Sequence, residues 1–163
     1  AEFNIAYDPE AAELVFNSCN QLVVMPLDIT HQLLFTQDLA QSVTAVNPEH
    51  PIAQFIVSLC KFMTQTALAF RETNGIAGFL VHDAATLAYL FYPEVLRFRR
   101  AQVWIETHGQ WTRGKTLFDD RNKTKVGANA WVALEVDSAN LLAAMAEDLK
   151  FLLSTVRLES STG

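Results

Sequence analysis

Residues 78–91, GFLVHDAATLAYLF, set a histidine and an aspartate side by side between two apolar runs. This is the stretch that reads as most buried, and a carboxylate buried without partners is strongly destabilising. Asp83 therefore calls for a partner. One candidate is the N-terminus of the helix that AATLAYLFYP would form, where a carboxylate accepts free backbone N–H groups. The other is a metal ion together with a substrate. For His82 the plain reading is a hydrogen-bonded core position. The two readings of Asp83 are compatible, because a carboxylate that caps with one oxygen leaves the other free.

The elements around this pair read as alternating helix and strand, an α/β pattern. YDPEAAELVFNS starts a helix, with Asp8 able to cap it and Pro9 suited to its first position. QLVVMPLD reads as a short buried strand ended by Pro26, followed by a polar loop. HPIAQFIVSLCKFMTQTALAFRE has the clearest helical period, with Ile52, Phe55, Ile56, Leu59, Met63 and Phe70 on one stripe and the pair NG at 74–75 ending it. His50 reads as a loop residue before Pro51. The spacing then predicts the helix that Asp83 caps and Pro93 stops, and a hairpin from AQVWIET and WTRGKTLF with His108 in its turn. NAWVALEVD reads as a further strand. Residues 139–157 form a closing helix capped by Asp137 or Ser138, with Leu142, Met145, Leu149, Leu152, Leu153 and Val156 inward. A domain over 1–158 and a flexible tail over 159–163 complete the expected organisation.

Composition narrows the classes of partner. Half of the 163 residues are hydrophobic, 18% are charged, eleven are phenylalanine, and the formal net charge is −6. Such a balance suits a well-buried core, or a piece of something larger whose neighbour covers apolar surface. Nucleic acid is not an expected partner, because phosphate contacts need a basic stripe. The two basic clusters, RFRR at 97–100 and RNKTK at 121–125, read as solvated turns. Cys19 and Cys60 stand at no metal-ligand spacing and read as reduced thiols of a cytoplasmic protein. No uninterrupted apolar run approaches the roughly 18 residues that span a bilayer, and AEFNIAYDPE has neither a basic nor an apolar leader region, so no membrane partner is expected.

Four blocks in order carry a family resemblance. AEFNIAYDPEAAELVF followed by VMPLDITHQ resembles the central segment of the inosine–uridine-preferring nucleoside hydrolases. HDAATLAYLFYPEVL resembles that family's C-terminal active-site segment, in which the same His-Asp pair opens a helix. RGKTLFD and NAWVALEVD match its closing hairpin and strand. The resemblance implies an open, mostly parallel α/β sheet with flanking helices. It also implies hydrolysis of the N-glycosidic bond of ribonucleosides to ribose and free base, a bound Ca²⁺, and homo-oligomers. By the same resemblance Asp83 is a calcium ligand that also touches a ribose hydroxyl. His82 faces the leaving base as proton donor, and Glu2 and Asn4 hydrogen-bond the ribose.

That division of labour is chemically coherent. Ca²⁺ prefers carboxylate and carbonyl oxygens and can orient both a water and a sugar diol. A departing base is a poor leaving group unless protonated, and histidine can protonate near neutral pH. On an extended segment, Glu2 and Asn4 would point to the same side and reach one sugar. Taken alone, they read as a disordered terminus. His31, within PLDITHQ, reads as structural. Thr66 and Phe70 are loose candidates for base contacts, with core packing the better reading of Phe70.

The family's aspartate-rich Asp-x-Asp-Pro-Gly-x-Asp-Asp segment, which supplies most metal ligands and the catalytic base, has no match in the chain. The chain is therefore expected to be the C-terminal half of such an enzyme, inactive alone and without a retained Ca²⁺. Loss of half a sheet should uncover strand edges and an apolar face, so self-association through that surface is expected. A non-catalytic association module is the alternative function, and a small α/β binding module unrelated to nucleosides is the third.

Overall fold

The computed structural model describes residues 1–19, 21–119, 121 and 127–155, and they form an α/β fold in two compact units. The first takes Ala1–Ile29 and Leu96–Val136; the second takes Thr30–Val95 and the chain from Asp137 on. The expected tail at 159–163, Val156, and all of RNKTK except Arg121 lie outside the described residues.

In the first unit α1 (Phe3–Tyr7) runs directly into α2 (Pro9–Ser18). The Asp8 carboxylate accepts from the Ala11 N–H at 2.9 Å, and Pro9, having no N–H to leave unpaired, takes the first helical position. A three-stranded sheet is centred on β7 (Ala130–Val136). β1 (Leu22–Val24) joins it in parallel with Leu22 opposite Ala130, and β4 (Leu96–Ala101) joins antiparallel with Ala101 opposite Ala130. β5 (Val103–Ile105) and β6 (Thr116–Phe118) make the expected antiparallel hairpin. Ala101, Val103, Ala130 and Val132 form the core, and Phe16, Leu22 and Val24 pack on it. Asn129 locks this core from within. Its buried amide donates to the carbonyls of Phe16 at 2.9 Å and Val103 at 3.0 Å and accepts from the Val103 N–H at 2.8 Å.

The second unit begins where α3 (Leu27–Thr30) ends. β2 (Leu34–Thr36) pairs antiparallel with β3 (Gly78–Leu80), and between them lie α4 (Gln37–Thr44) and α5 (Pro51–Ala69). α6 (Asp83–Phe91) follows β3, then a 3₁₀ turn at Pro93–Val95, and α7 (Ser138–Thr155) closes the unit. Val43, Ala53, Ala146 and Leu153 are the buried centre where α4, α5 and α7 meet. Asp137 caps α7, as expected, accepting from the Asn140 N–H at 3.1 Å.

Several expectations are corrected. The presumed polar loop after Pro26 holds α3, β2 and α4, each too short for its period to stand out. RFRR is not a solvated turn: it lies within β4, where Arg100 donates to the Ala128 carbonyl at 2.8 Å and lies over the Trp131 ring. On α5 the buried residues are Ala53, Cys60, Thr64 and Ala67, while Phe55 is 63% and Phe70 75% exposed. Small residues let α5 approach its neighbours, and the aromatic stripe is left beside them. On α7 the fully buried positions are Leu141, Ala146 and Leu153, with Leu142, Met145, Leu149 and Leu152 half-buried. His50 is a buried N-cap rather than a loop residue: its Nδ1 accepts from the Ile52 N–H at 3.2 Å. By length and composition α5 could cross a bilayer, with a mean hydropathy of 1.3. Here it packs against α4 and β3 instead.

The β2–β3 pairing depends on Gly78. A Cβ there would sit 2.8 Å from the Phe35 carbonyl oxygen and 3.2 Å from the Thr36 Cα, both backbone atoms that cannot step aside. Gly78→Ala should destabilise the fold by about 1–3 kcal/mol. Urea unfolding checks this, and a midpoint equal to wild type would refute the close approach.

Candidate functional site

β3 delivers Val81 and His82 to the start of α6. Beyond the last β2–β3 pair, Leu34 opposite Leu80, the Val81 N–H still donates to the Leu33 carbonyl at 2.9 Å. The chain then turns, with the Leu33 N–H donating to the Thr30 carbonyl at 3.0 Å. This turn carries Thr30 back to His82, whose Nδ1 lies 2.8 Å from the Thr30 hydroxyl. Thr30 is buried and His82 half-buried. His31 meets His82 edge-on, with ring centroids 5.9 Å apart. Nε2 of His82 has no partner among the described residues.

Asp83 does not cap α6. His82 occupies the cap position with no side-chain hydrogen bond, and Asp83 is the first helical residue. Its carboxylate is exposed, not buried, and makes no hydrogen bond with the described residues. The backbone explains this. At the cap His82 has φ −87° and ψ −71°, so the helical path starts one residue earlier than the sequence suggests, and Asp83 is carried past the free N–H groups. An acidic residue in the first turn still complements the helix dipole. The oxygens of Asp83 are therefore uncommitted.

Glu2 and Asn4 stand on a helix end and not on an extended segment. Glu2 is the cap of α1: its Oε1 accepts from the Asn4 N–H at 3.0 Å, and its Oε2 accepts from the Ile5 N–H at 2.9 Å. The Asn4 side-chain amide also donates to Glu2 Oε1, at 3.1 Å. The two residues are thus brought together, with the carboxylate turned toward the helix and the Asn4 Oδ1 left open. The hairpin loop supports this end. Gly114 has φ +82°, and a Cβ on it would lie 2.8 Å from the Ala6 Cα. Arg113 grips Glu10 through both carboxylate oxygens at 2.7 Å. The loop is itself held by Glu106, whose carboxyl lies below the usual range because it accepts the N–H groups of His108 and Gly109. His108 lies in that loop, beside the Thr107 hydroxyl.

Phe70 is exposed and turns no packed face to the core, and Thr66 is half-buried with its hydroxyl bonded to the Phe62 carbonyl at 3.1 Å. Among the described residues there is no group of three or more His, Cys, Asp or Glu able to hold a metal ion. A hard divalent cation takes roughly six to eight oxygens. The described residues do not fit one by themselves, and Asp83 is the uncommitted carboxylate at the His82 site. Thr30 was not legible as a site residue, since its partner lies fifty-two positions away and no local pattern links them.

A His-Asp pair at a strand-to-helix junction of an α/β fold, with one free ring nitrogen and one free carboxylate, is an arrangement suited to polar substrate chemistry. The model of the inosine-uridine preferring nucleoside hydrolase family matches residues 1–143, a span that includes Glu2, Asn4, His82 and Asp83. The chain belongs to that family. It is 38% identical over 152 residues to a pyrimidine-specific ribonucleoside hydrolase, RihA, of Shewanella woodyi, covering 92% of this chain and 47% of the relative. It is 36% identical over 137 residues to the inosine-uridine preferring nucleoside hydrolase of Crithidia fasciculata, covering 84% of this chain and 42% of the relative. In fold it resembles a purine-preferring ribonucleoside hydrolase from Gardnerella vaginalis, with a TM-score of 0.83 at 22% identity over 96% of this chain and 48% of that one. The chain spans about half the length of the curated relatives it matches.

The RGK block of the sequence acquires a physical role from Gly114. Gly114→Ala should strain a left-handed backbone and push against Ala6, destabilising the first unit by about 1–3 kcal/mol. Faster hydrogen exchange at the Asn4 and Ile5 amides would report the loosened α1, and unchanged exchange would count against the contact.

Proposed function

We propose that this chain carries the His82–Asp83 part of the active site of a ribonucleoside hydrolase, an enzyme that cleaves the N-glycosidic bond to give ribose and free base. The observation that supports the reading best is the family match across both residue pairs, combined with the free Nε2 of His82 and the uncommitted carboxylate of Asp83. His82 acts on the leaving base as proton donor. Asp83 binds a ribose hydroxyl and contributes one oxygen to a calcium site. A saturable calcium site then needs carboxylates from outside the described residues, so the chain on its own is expected neither to retain Ca²⁺ nor to turn over substrate. Asn4 binds the ribose through its open Oδ1, and Glu2 joins it once substrate competes with the α1 N–H groups for its oxygens. Uridine is the first substrate to try, because the pyrimidine-specific and the inosine-uridine preferring relatives both cover it by name. A cytoplasmic location belongs to the same proposal and rests on two free thiols, Cys19 and Cys60.

A second reading has its own support. In the second unit an open groove of about 500 Å³ runs between α5 and α6, lined by Phe35, Phe55, Leu59, Phe79, Leu87 and Phe91. Phe91 is 73% exposed. So apolar a surface is unfavourable in water, and a second copy of the chain would supply a matching Phe-rich face in an isologous contact. Homo-association through this groove is compatible with hydrolysis, and in a chain without activity it would be the whole function.

Release of uracil from uridine by the complete gene product, dependent on Ca²⁺ and abolished by a chelator, is the expected result. His82→Ala should lower kcat by about 10²–10⁴-fold, and Asp83→Asn should raise the calcium concentration needed. Wild-type kinetics in both variants would remove these residues from the site. For association, light scattering at micromolar concentration should find this chain as a dimer or larger, and Phe91→Lys should return it to monomer. A wild-type monomer would eliminate the second reading.

A further inference from the structure

The pairing of Thr30 with His82 bears on which ring nitrogen carries hydrogen. Thr30 is buried at 3% exposure, and the sole partner of its hydroxyl among the described residues is His82 Nδ1 at 2.8 Å. A threonine on a helix commonly turns its hydroxyl back to a carbonyl of the preceding turn. Thr30, at the end of α3, has no such bond among the described residues. A buried O–H without an acceptor loses its hydration and gains nothing in return. The acceptor within reach is the lone pair of Nδ1. In neutral imidazole one nitrogen donates and the other accepts, so a hydroxyl that donates to Nδ1 leaves the hydrogen on Nε2.

We propose that Thr30 is a positioning residue that holds neutral His82 in the Nε2–H tautomer, with that N–H facing away from Thr30 as a hydrogen-bond donor. This rests on the proposed hydrolase reading for its functional meaning, and it deepens that reading by assigning the direction of the bond. His82 then offers the leaving base a donor as negative charge builds on it, and in this tautomer cannot take a proton from water through Nε2. In the neutral ring this is a hydrogen bond; transfer of the proton to the base needs the imidazolium, whose Nε2–H points the same way while the Thr30 hydroxyl turns to accept from Nδ1–H.

The geometry behind this is over-determined. The β2–β3 register fixes Val81, the Val81–Leu33 hydrogen bond fixes the turn, and the turn fixes Thr30. The ring of His31, edge-on to His82, limits rotation from another side. Thr30 thus has two effects on His82, setting its tautomer and its orientation.

Nitrogen NMR of the ¹⁵N-histidine-labelled chain, at a pH where imidazoles are neutral, reads the tautomer directly. The chain has four histidines, and removing each in turn assigns its signals. His82 should show a protonated Nε2 and an unprotonated Nδ1. Thr30→Ser, which keeps the hydroxyl, should preserve that pattern; Thr30→Val, which replaces it with a methyl group, should lose the single-tautomer signature. His50 is the internal control for folding, because its Nδ1 accepts from the Ile52 N–H and its pattern must persist in every folded variant. A protonated Nδ1 on His82 in the wild-type chain would overturn the proposal outright, whatever the variants do. So would an unchanged His82 pattern in Thr30→Val with the His50 pattern intact. The readout needs no turnover, so it fails separately from the hydrolase reading. If His82→Ala leaves uridine hydrolysis untouched while the tautomer pattern holds, the hydrolase role falls and the Thr30–His82 assignment stands.

Discussion

Leu34 sits opposite Leu80, and from that register follow the Val81–Leu33 hydrogen bond, the return of the chain at residues 30–33 and the meeting of Thr30 with His82. Strand pairing has a period of two, so a slip of one residue would turn each side chain to the opposite face. The pairing is only three residues long, yet Gly78 allows β3 to lie against the Phe35 carbonyl and the Phe35 and Phe79 rings pack 5.6 Å apart. Rigid backbone contacts at one end of the strand thereby become a defined imidazole orientation at the other.

The two acidic residues singled out by chemistry turn out to have opposite commitments. Glu2 accepts hydrogen bonds with both oxygens and finishes a helix, whereas Asp83 enters its helix one position too late to cap it. Both outcomes follow from where the helical backbone begins, and that is decided by the residue before. A carboxylate already hydrogen-bonded must exchange partners to bind a sugar. One in open water, as at Asp83, has no protein partner to give up.

Apolar composition was a poor guide to where burial falls, since Phe55, Phe91, Trp111 and Phe151 all stay largely exposed. Val43, Ala53, Ala146 and Leu153 make the centre of the second unit, and three of these are among the less conspicuous residues of their helices. Close approach of α4, α5 and α7 favours small side chains at the contact, which leaves the larger Phe55, Leu59 and Phe91 to line an open groove. Helical period identifies a stripe; it does not say which neighbour, if any, lies against it.

The sequence by itself determined the elements whose signals are local: the Asp8–Pro9 start of α2, the hairpin of β5 and β6, the strand β7 and the Asp137 cap of α7. It also determined the family, through residues matched in order along the chain. Each of these rests on contacts within a few positions, or on residue identity alone. Tertiary structure decided the rest, because the deciding contacts join distant residues. RFRR became β4 only by pairing with β7, the stretch after Pro26 gained structure only against β3 and α5, and His50 became a cap once α5 was buried around it. Thr30 is the sharpest case, since a hydroxyl carries no sign of which imidazole it will meet until two strands have fixed their register.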